Sequence, residues 1–296
     1  MSTSRTARAF LSFNATFSAF TGAALLVAPG AIAEMMFVAP AGWKPASLTG
    51  LGIGLLIFAA DLLIMATNRW ITRDEVGIIV LADMGWIVGS IVLIALFGDL
   101  FTHNGVVLAE VVALIIAVIA IGQYVGSRSI VPPAAHVNIH SRNGALVATV
   151  ERAVKASPAA VWNVMTDHPG YADVASNLSK VEVVSGDGLG MTRRCYGPKG
   201  ENWTETCNHY EDGLSYGFKI HTEAADYPYP ISELQGRWSV NPNNSGSKFS
   251  INIEAKPKGG FITRTLFSSL ARRQFKTVLI DLADAWAERM EREAKA

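Results

Sequence analysis

The chain has 296 residues, of which half are hydrophobic and only 17% are charged. Soluble proteins usually carry about 25% charged residues, so a large part of this chain is expected to lie outside water. The 25 acidic and 25 basic side chains balance, which excludes a global field that would attract nucleic acid. The two cysteines, Cys195 and Cys207, are too few for a disulfide framework and are predicted to be free thiols.

The apolar residues are concentrated in the first 126 residues. Four segments there are long enough to cross about 30 Å of hydrocarbon as helices. They are Phe10–Ala28, Leu48–Ala66, Val76–Phe97 and Val106–Val125. Small polar residues interrupt the first segment, which suits a helix packed against its neighbours. We therefore predict an all-α four-helix transmembrane domain over residues 1–126.

Arginines flank the four segments on one side only. They are Arg5, Arg8, Arg69, Arg73 and Arg128. By the positive-inside rule, both termini and everything after the fourth span are expected in the cytoplasm. This predicts a multi-pass protein of the cell membrane with the lipid bilayer as a partner. A cleaved signal peptide in place of the first span is the alternative, because a small-x-small motif follows that span.

Three acidic residues interrupt the apolar segments: Asp61, Asp83 and Glu110. A charge at mid-bilayer costs about 3 kcal/mol on insertion scales, so each is expected to face a partner or water. Asp61 and Asp83 would reach similar depths on antiparallel helices, whereas Glu110 would not join them. The sequence leaves open a proton or cation site, a recess for a lipid headgroup, and neutral acids bonded to hydroxyls such as Ser90 or Thr49.

Residues 127–144 contain two adjacent prolines and several polar residues, which predicts a short extended tether. After it, Ala145–Ala156 alternates apolar and polar positions as a strand does. Ser157 and Pro158 then supply the N-cap and first-turn proline of a short helix.

Turn residues separate six further strand candidates. They are Ser179–Val184, Met191–Tyr196, Asn202–Tyr210, Ser215–Ile220, Ser232–Val240 and Lys248–Ala255. Their short connections favour an antiparallel meander. A long amphipathic helix is predicted from about Thr263 to Ala294. Its apolar stripe consists of Phe267, Leu270, Phe275, Val278, Leu279, Leu282 and Trp286.

Two stretches of the second half carry a family resemblance. The segment VERAVKASPAAVWNVMTDHPGYADV, with the later SKVEVVSGDGLGMTRR, resembles the opening of the START/Bet v 1-like superfamily (SRPBCC), especially its polyketide cyclase/dehydrase and lipid-transport group. FITRTLFSSLARRQFKTVLIDLADAWAERME resembles that group's closing helix. The resemblance implies an α+β helix-grip domain over residues 145–296, with a curved antiparallel sheet around the long C-terminal helix. The membrane half is not covered.

The resemblance also implies an apolar cavity between the sheet and this helix. Period-two alternation predicts which side chains line it. They are Trp203, Tyr216, Phe218, Ile220, Leu234, Trp238, Phe249, Ile251 and Ile253. The leading hypothesis is a membrane-anchored cytoplasmic module that binds a lipid or other hydrophobic small molecule, without a cofactor or metal.

Two other classes of function stay open. Trp203, Glu205, Cys207 and His209 are predicted to share one face of their strand. Glu205 and His209 are therefore candidates for the acid and base of a cyclase/dehydratase-like lyase, although outward-facing solvated residues are the commoner case. The third interpretation is a sensor or interaction module coupled to the membrane half. The ligand and the oligomeric state are not determined by the sequence.

Overall fold

The computed structural model describes residues 5–40 and 42–295, apart from the side chains of residues 261–271, 273 and 274. The chain divides into two compact units, Met1–Pro132 and Pro133–Ala296. Among the described residues, the regular secondary structure of the first unit is helical apart from an isolated bridge between Phe37 and Phe101, and the second unit combines a single sheet with two α-helices.

The helical unit contains five α-helices among its described residues, four of which are long and apolar enough to cross a membrane. The bounds are α1 Arg5–Val27, α2 Pro29–Met36, α3 Trp43–Thr67, α4 Arg73–Phe97 and α5 His103–Ser127. The four predicted apolar helices are confirmed, each within a few residues of the expected ends. The short helix α2 lies between the first two of them and begins at a proline, as helices often do.

Helix α1 is the central element of this unit and packs against both α3 and α5. Its crossing with α3 is very close at Gly22 and Gly52, where an added Cβ on either would lie 2.9 Å from the carbonyl oxygen of the other. Small residues allow such approach between membrane helices. The polar residues Asn14 and Ser18 of α1 are buried, which agrees with a packed first span.

The loop between α3 and α4 is fixed by side-chain bonds. Arg8 donates from its guanidinium to the carbonyl oxygens of Ala66 and Asn68, at 2.7 and 2.5 Å. It thereby satisfies acceptors that the end of α3 leaves without helical partners. Helix α4 begins with a capping box in which Thr72 and Glu75 bond each other's backbone N–H groups.

The second unit is an eight-stranded antiparallel sheet with the order β1-β2-β8-β7-β6-β5-β4-β3. The strands are β1 His136–Arg142, β2 Ala145–Val154, β3 Lys180–Ser185, β4 Thr192–Tyr196, β5 Asn202–Glu211, β6 Ser215–Ile220, β7 Ile231–Asn243 and β8 Gly246–Pro257. Helix α6 spans Pro158–Thr166 and helix α7 spans Phe261–Glu293. The helix-grip fold is confirmed, and Ser157 caps α6 as predicted, accepting from the backbone N–H of Ala160 at 3.3 Å.

Strand β1 lies within the segment that the sequence predicted as an extended tether. It pairs with β2, so that Val137 faces Val150 and Ile139 faces Ala148. The prolines before it mark the boundary of the unit, and the alternation of Val137 and Ile139 with polar residues is that of an edge strand. The prediction missed this strand because only these two of its seven residues are apolar.

The C-terminal half of α7 packs against the sheet of this unit. Leu279, Leu282 and Trp286 of the predicted stripe are buried, and Trp286 contacts Phe249 with ring centroids 5.8 Å apart. Val278 is 38% exposed and so lies off the stripe. The predicted contributions of Phe267 and Leu270 lie outside the described side chains.

Candidate functional site

One face of the sheet, the concave face, is defined by the register of its strands. Directly paired residues of antiparallel strands share a face. Trp238 pairs with Ile251 on one side and with Tyr216 on the other, and α7 packs on this face through Trp286. By the same ladder, all nine predicted lining residues lie on the concave face. Their contact with a ligand stays a prediction.

At one end of the concave face, aromatic side chains fill the interior. This aromatic cluster consists of Tyr171, Tyr216, Phe218, Trp238, Phe249 and Trp286. Tyr216 stacks on Trp238 at 5.5 Å and Tyr171 stacks on Trp286 at 5.6 Å between ring centroids. Such contacts add to the burial energy of each ring. The cluster closes this end with the protein's own side chains.

The other end of the concave face is less completely covered. Trp203, Leu234 and Ile253 point inward but are only half-buried. The first half of α7 lies above this end. Arg272 of α7 donates to the hydroxyl of Ser141 at 3.1 Å, and Ser141 belongs to the same cross-strand row as Leu234. The concave face therefore has a filled end and an end with incomplete burial, here called the open end, although Ile220 and Ala255 in the row of Leu234 are buried.

A buried ion pair lies beside the aromatic cluster. Arg193 of β4 is paired with Glu205 of β5, and both point to the concave face. The guanidinium donates from Nε to Oε2 of Glu205 at 2.9 Å and lies 3.7 Å from the centroid of the Phe218 ring. Trp203 donates its indole N–H to the other oxygen, Oε1, at 2.8 Å. Both carboxylate oxygens of Glu205 are thus already engaged.

Burial and the charge of Arg193 together shift the pKa values of the neighbouring groups. Burial, and next the charge of Arg193, lower the pKa of His168 to about 4. His168 is therefore neutral near pH 7, and its Nδ1 accepts from the guanidinium at 3.1 Å because arginine can only donate. Burial is the largest single influence on Arg193 and disfavours its charge, but Glu205 together with Cys195, Tyr216 and Tyr171 raises the pKa of Arg193 overall. Burial likewise raises the pKa of the Cys195 thiol.

The structure separates His209 from Glu205. Cys207 pairs with Phe218, but the next pairs are His209 with Gly217 and Tyr210 with Tyr216, so a β-bulge inserts one extra residue. Because side chains alternate with a period of two, the insertion moves His209 to the convex face. There its Nε2 lies 2.7 Å from the hydroxyl of Ser215. The prediction that His209 shares a face with Glu205 is wrong.

Sequence reasoning missed Arg193 and His168 as parts of this network. Arg193 and Glu205 each lie six residues from Lys199, at the centre of the hairpin turn. Residues at equal distances from the centre of a hairpin turn lie opposite each other, so counting from Lys199 would have paired Arg193 with Glu205. Both cysteines are free, as predicted, and the structure shows that both are buried. Among the residues that the structure describes, no group of three His, Cys, Asp or Glu could hold a metal ion.

Of the three acids in the helical unit, Asp83 has a defined buried site. Asn14 of α1 donates from Nδ2 to Oδ2 of Asp83 at 2.9 Å, so the partner is an amide rather than one of the hydroxyls considered above. Asp83 also lines a cavity of about 210 Å³ among the four long helices. Asp61 and Glu110 are not among the described residues that line it.

The match to known families concerns the second unit. A family model described as polyketide cyclase/dehydrase and lipid transport matches residues 145–291. The C-terminal domain belongs to this family. The matched range includes every strand from β2 to β8 as well as α6 and most of α7. The match does not extend over residues 1–132.

Several solved structures are similar to this domain. The protein TTHA0849 from Thermus thermophilus is 18% identical, with a TM-score of 0.40, and the match covers 48% of this chain and 94% of that one. The Zhui aromatase/cyclase from Streptomyces sp. R1128 is 15% identical, with a TM-score of 0.41, over 55% and 97%. The protein XoxI from Bacillus cereus is 15% identical, with a TM-score of 0.37, over 48% and 95%. No curated protein sequence matches the chain.

Proposed function

We propose that the C-terminal domain binds a lipid or other hydrophobic small molecule at the open end of its concave face. The observation that carries the proposal is the incomplete burial of Trp203, Leu234 and Ile253 beside a filled aromatic cluster. Apolar surface left facing water forgoes about 25 cal/mol per Å². An apolar ligand between these side chains and α7 would recover that free energy.

The contacts around Glu205 favour binding over acid–base catalysis. A general base must be free to take a proton from the substrate. Glu205 is instead held by Arg193 and Trp203, and His209 lies on the opposite face. The cyclase/dehydratase alternative, with Glu205 and His209 as acid and base, therefore lacks the geometry that it requires. In the binding proposal, the ion pair orients Trp203 at the edge of the open end.

The membrane half gives the binding domain its place of action. We propose that the four apolar helices anchor the domain at the bilayer, where hydrophobic ligands dissolve. Tethering converts the encounter with such a ligand into a local one and raises its effective concentration. The proposal is thus of one chain that combines an anchor with a receptor for molecules held in the membrane.

A substitution that fills the open end tests the proposal. Leu234→Trp adds a large ring to the half-buried position and is expected to weaken binding of a dansylated fatty acid about tenfold or more. The affinity is measured by fluorescence titration of the full chain in detergent micelles. In parallel, solvent extraction of the purified wild type is expected to release an apolar molecule that the variant lacks.

Arg237→Trp is the matched control, because Arg237 is an exposed residue on the convex face of the same strand. It should leave probe binding unchanged. Equal affinities of wild type and Leu234→Trp, with no extractable apolar molecule from either, would contradict the proposal.

A further inference from the structure

The membrane half contains a short chain of buried polar side chains. On α1, Ser18 donates its hydroxyl to Oδ1 of Asn14 at 3.2 Å, and Asn14 donates from Nδ2 to Oδ2 of Asp83 at 2.9 Å. All three residues are at least 95% buried. Asn14 and Asp83 each lie nine or ten residues from the start of their helices, which is about 15 Å along the axis. These three polar side chains therefore lie deep within the spans.

One carboxylate oxygen in this group of polar side chains has no hydrogen-bond partner among the described residues. Oδ1 of Asp83 has no hydrogen bond to any residue among 5–40 and 42–295. An unpaired polar atom in hydrocarbon is costly, so an acid at this depth is expected to face a partner. Asp83 lines the cavity of about 210 Å³, and the cavity is where that partner can be placed.

The remaining walls of the cavity are mostly apolar. They are formed by Phe17, Leu55, Phe58, Ala82, Val112 and Ile116, together with Thr21 and Trp86. Apolar cavities of about 150 Å³ bind benzene, so this one has room for a single ring. Ala82 and Trp86 are exposed on α4, which opens the cavity to the lipid-facing side of that helix.

We propose that this cavity binds a membrane-soluble amphiphile with a ring-sized apolar head that carries one hydrogen-bond donor, and that Asp83 accepts from that donor. The apolar walls bind the ring, and a tail can leave past Ala82 toward the lipid. The site is separate from the concave face of the C-terminal domain, and the proposal does not depend on that domain's function.

Two matched probes test the donor requirement. The phenol 4-pentylphenol carries an O–H group, and 4-pentylanisole replaces it with a methyl ether that can only accept. A site built to receive a donor rejects an analogue that lacks it, since the buried acceptor then stays unpaired. Isothermal titration of the full chain in micelles, with empty micelles subtracted, is expected to show about tenfold tighter binding of the phenol.

The Asp83→Asn variant should reverse this preference. Its side-chain oxygen would accept from Asn14, which turns the amide N–H₂ group toward the cavity and favours the ether. Glu110→Gln is the control, because Glu110 is exposed and does not line the cavity; it should keep the preference for the phenol.

Val112→Phe fills the cavity from α5 without altering the polar chain, and it serves as a second test if Asp83→Asn does not fold. It is expected to abolish the difference between the probes. Equal binding of both probes by the wild type would overturn the proposal. So would a phenol preference that survives in Asp83→Asn or in Val112→Phe.

Discussion

Arg193 shows how a single buried charge orders the side chains around it. Its guanidinium binds Glu205, contacts the ring of Phe218 and donates to His168. Burying two charges costs about as much as their attraction returns, so the pair adds little net stability. Its effect is instead on specificity, because removal of either partner would leave the other charge uncompensated. The pair links β4 to β5, and Glu205 also accepts a hydrogen bond from the indole of Trp203.

His168 makes the stability of this domain depend on pH. Its pKa is about 4 in the folded chain and about 6.5 when unfolded, so the unfolded state binds more protons between these values. Above pH 6.5, His168 therefore causes no loss in the free energy of unfolding. As the pH is lowered toward 4, this group lowers the free energy of unfolding by about 3 kcal/mol. Urea unfolding of residues 133–296 at a series of pH values measures it.

The control for this prediction is His168→Asn, whose amide oxygen can still accept from Arg193 but does not titrate. Carboxyl groups also titrate in this range, so the informative quantity is the difference between wild type and variant at each pH. That difference should change by about 3 kcal/mol between pH 6.5 and pH 4. A constant difference would show that His168 does not carry the effect.

The residues of the concave face could be read from the sequence because strand alternation has a fixed period of two. His209 could not, since the bulge that displaces it carries no glycine or proline to mark it. The hydrogen bond between Asn14 and Asp83 could also not be predicted from the sequence. Helix α4 is apolar around most of its circumference and shows no preferred face, so its rotation against α1 is not encoded in a readable pattern.

At the scale of elements, the long apolar helices and the turn-bounded strands were predicted, whereas β1 was missed. Its pairing with β2 depends on a tight turn at Asn143 and Gly144, both with positive φ. An Asn-Gly dipeptide is a strong signal for a two-residue hairpin turn, but the prolines before β1 suggested a tether instead. The strand exists because β2 offers it an edge, which is a property of the folded sheet rather than of the segment.

The crossing of α1 and α3 gives a prediction about packing. Gly52→Ala would place a Cβ 2.9 Å from the carbonyl oxygen of Gly22 and 3.1 Å from Cβ of Leu25. The helices must then move apart, which typically costs about 1–3 kcal/mol. The thermal unfolding midpoint of the full chain in detergent micelles is expected to fall by several degrees.

Gly54→Ala is the matched substitution on the same helix, because nothing lies within 4 Å of an added Cβ there. It should leave the midpoint unchanged or raise it slightly, since alanine favours the helix over glycine. A midpoint for Gly52→Ala as high as that of Gly54→Ala would contradict the close crossing.

At the scale of the whole molecule, the two units differ in how they use charge. The helical unit keeps its arginines at one set of helix ends, where Arg8 also bonds the end of α3. Among the described side chains of the C-terminal domain, the charged residues Arg193, Glu205 and Arg289 are buried, each beside an opposite charge. The formal net charge of zero is therefore the sum of two unlike distributions, and only the first bears on orientation in the membrane.

The arginine bias predicts that both termini lie in the cytoplasm, and the two ends of α5 provide a matched test. Asn104 and Ser129 are exposed, uncharged residues at opposite ends of this helix. In intact cells, a membrane-impermeant maleimide should label Asn104→Cys, whereas Ser129→Cys should react only after permeabilisation. Labelling of the parent chain should be low, because Cys195 and Cys207 are both buried. Labelling of Ser129→Cys in intact cells, with Asn104→Cys protected, would reverse the orientation and place the C-terminal domain outside the cell.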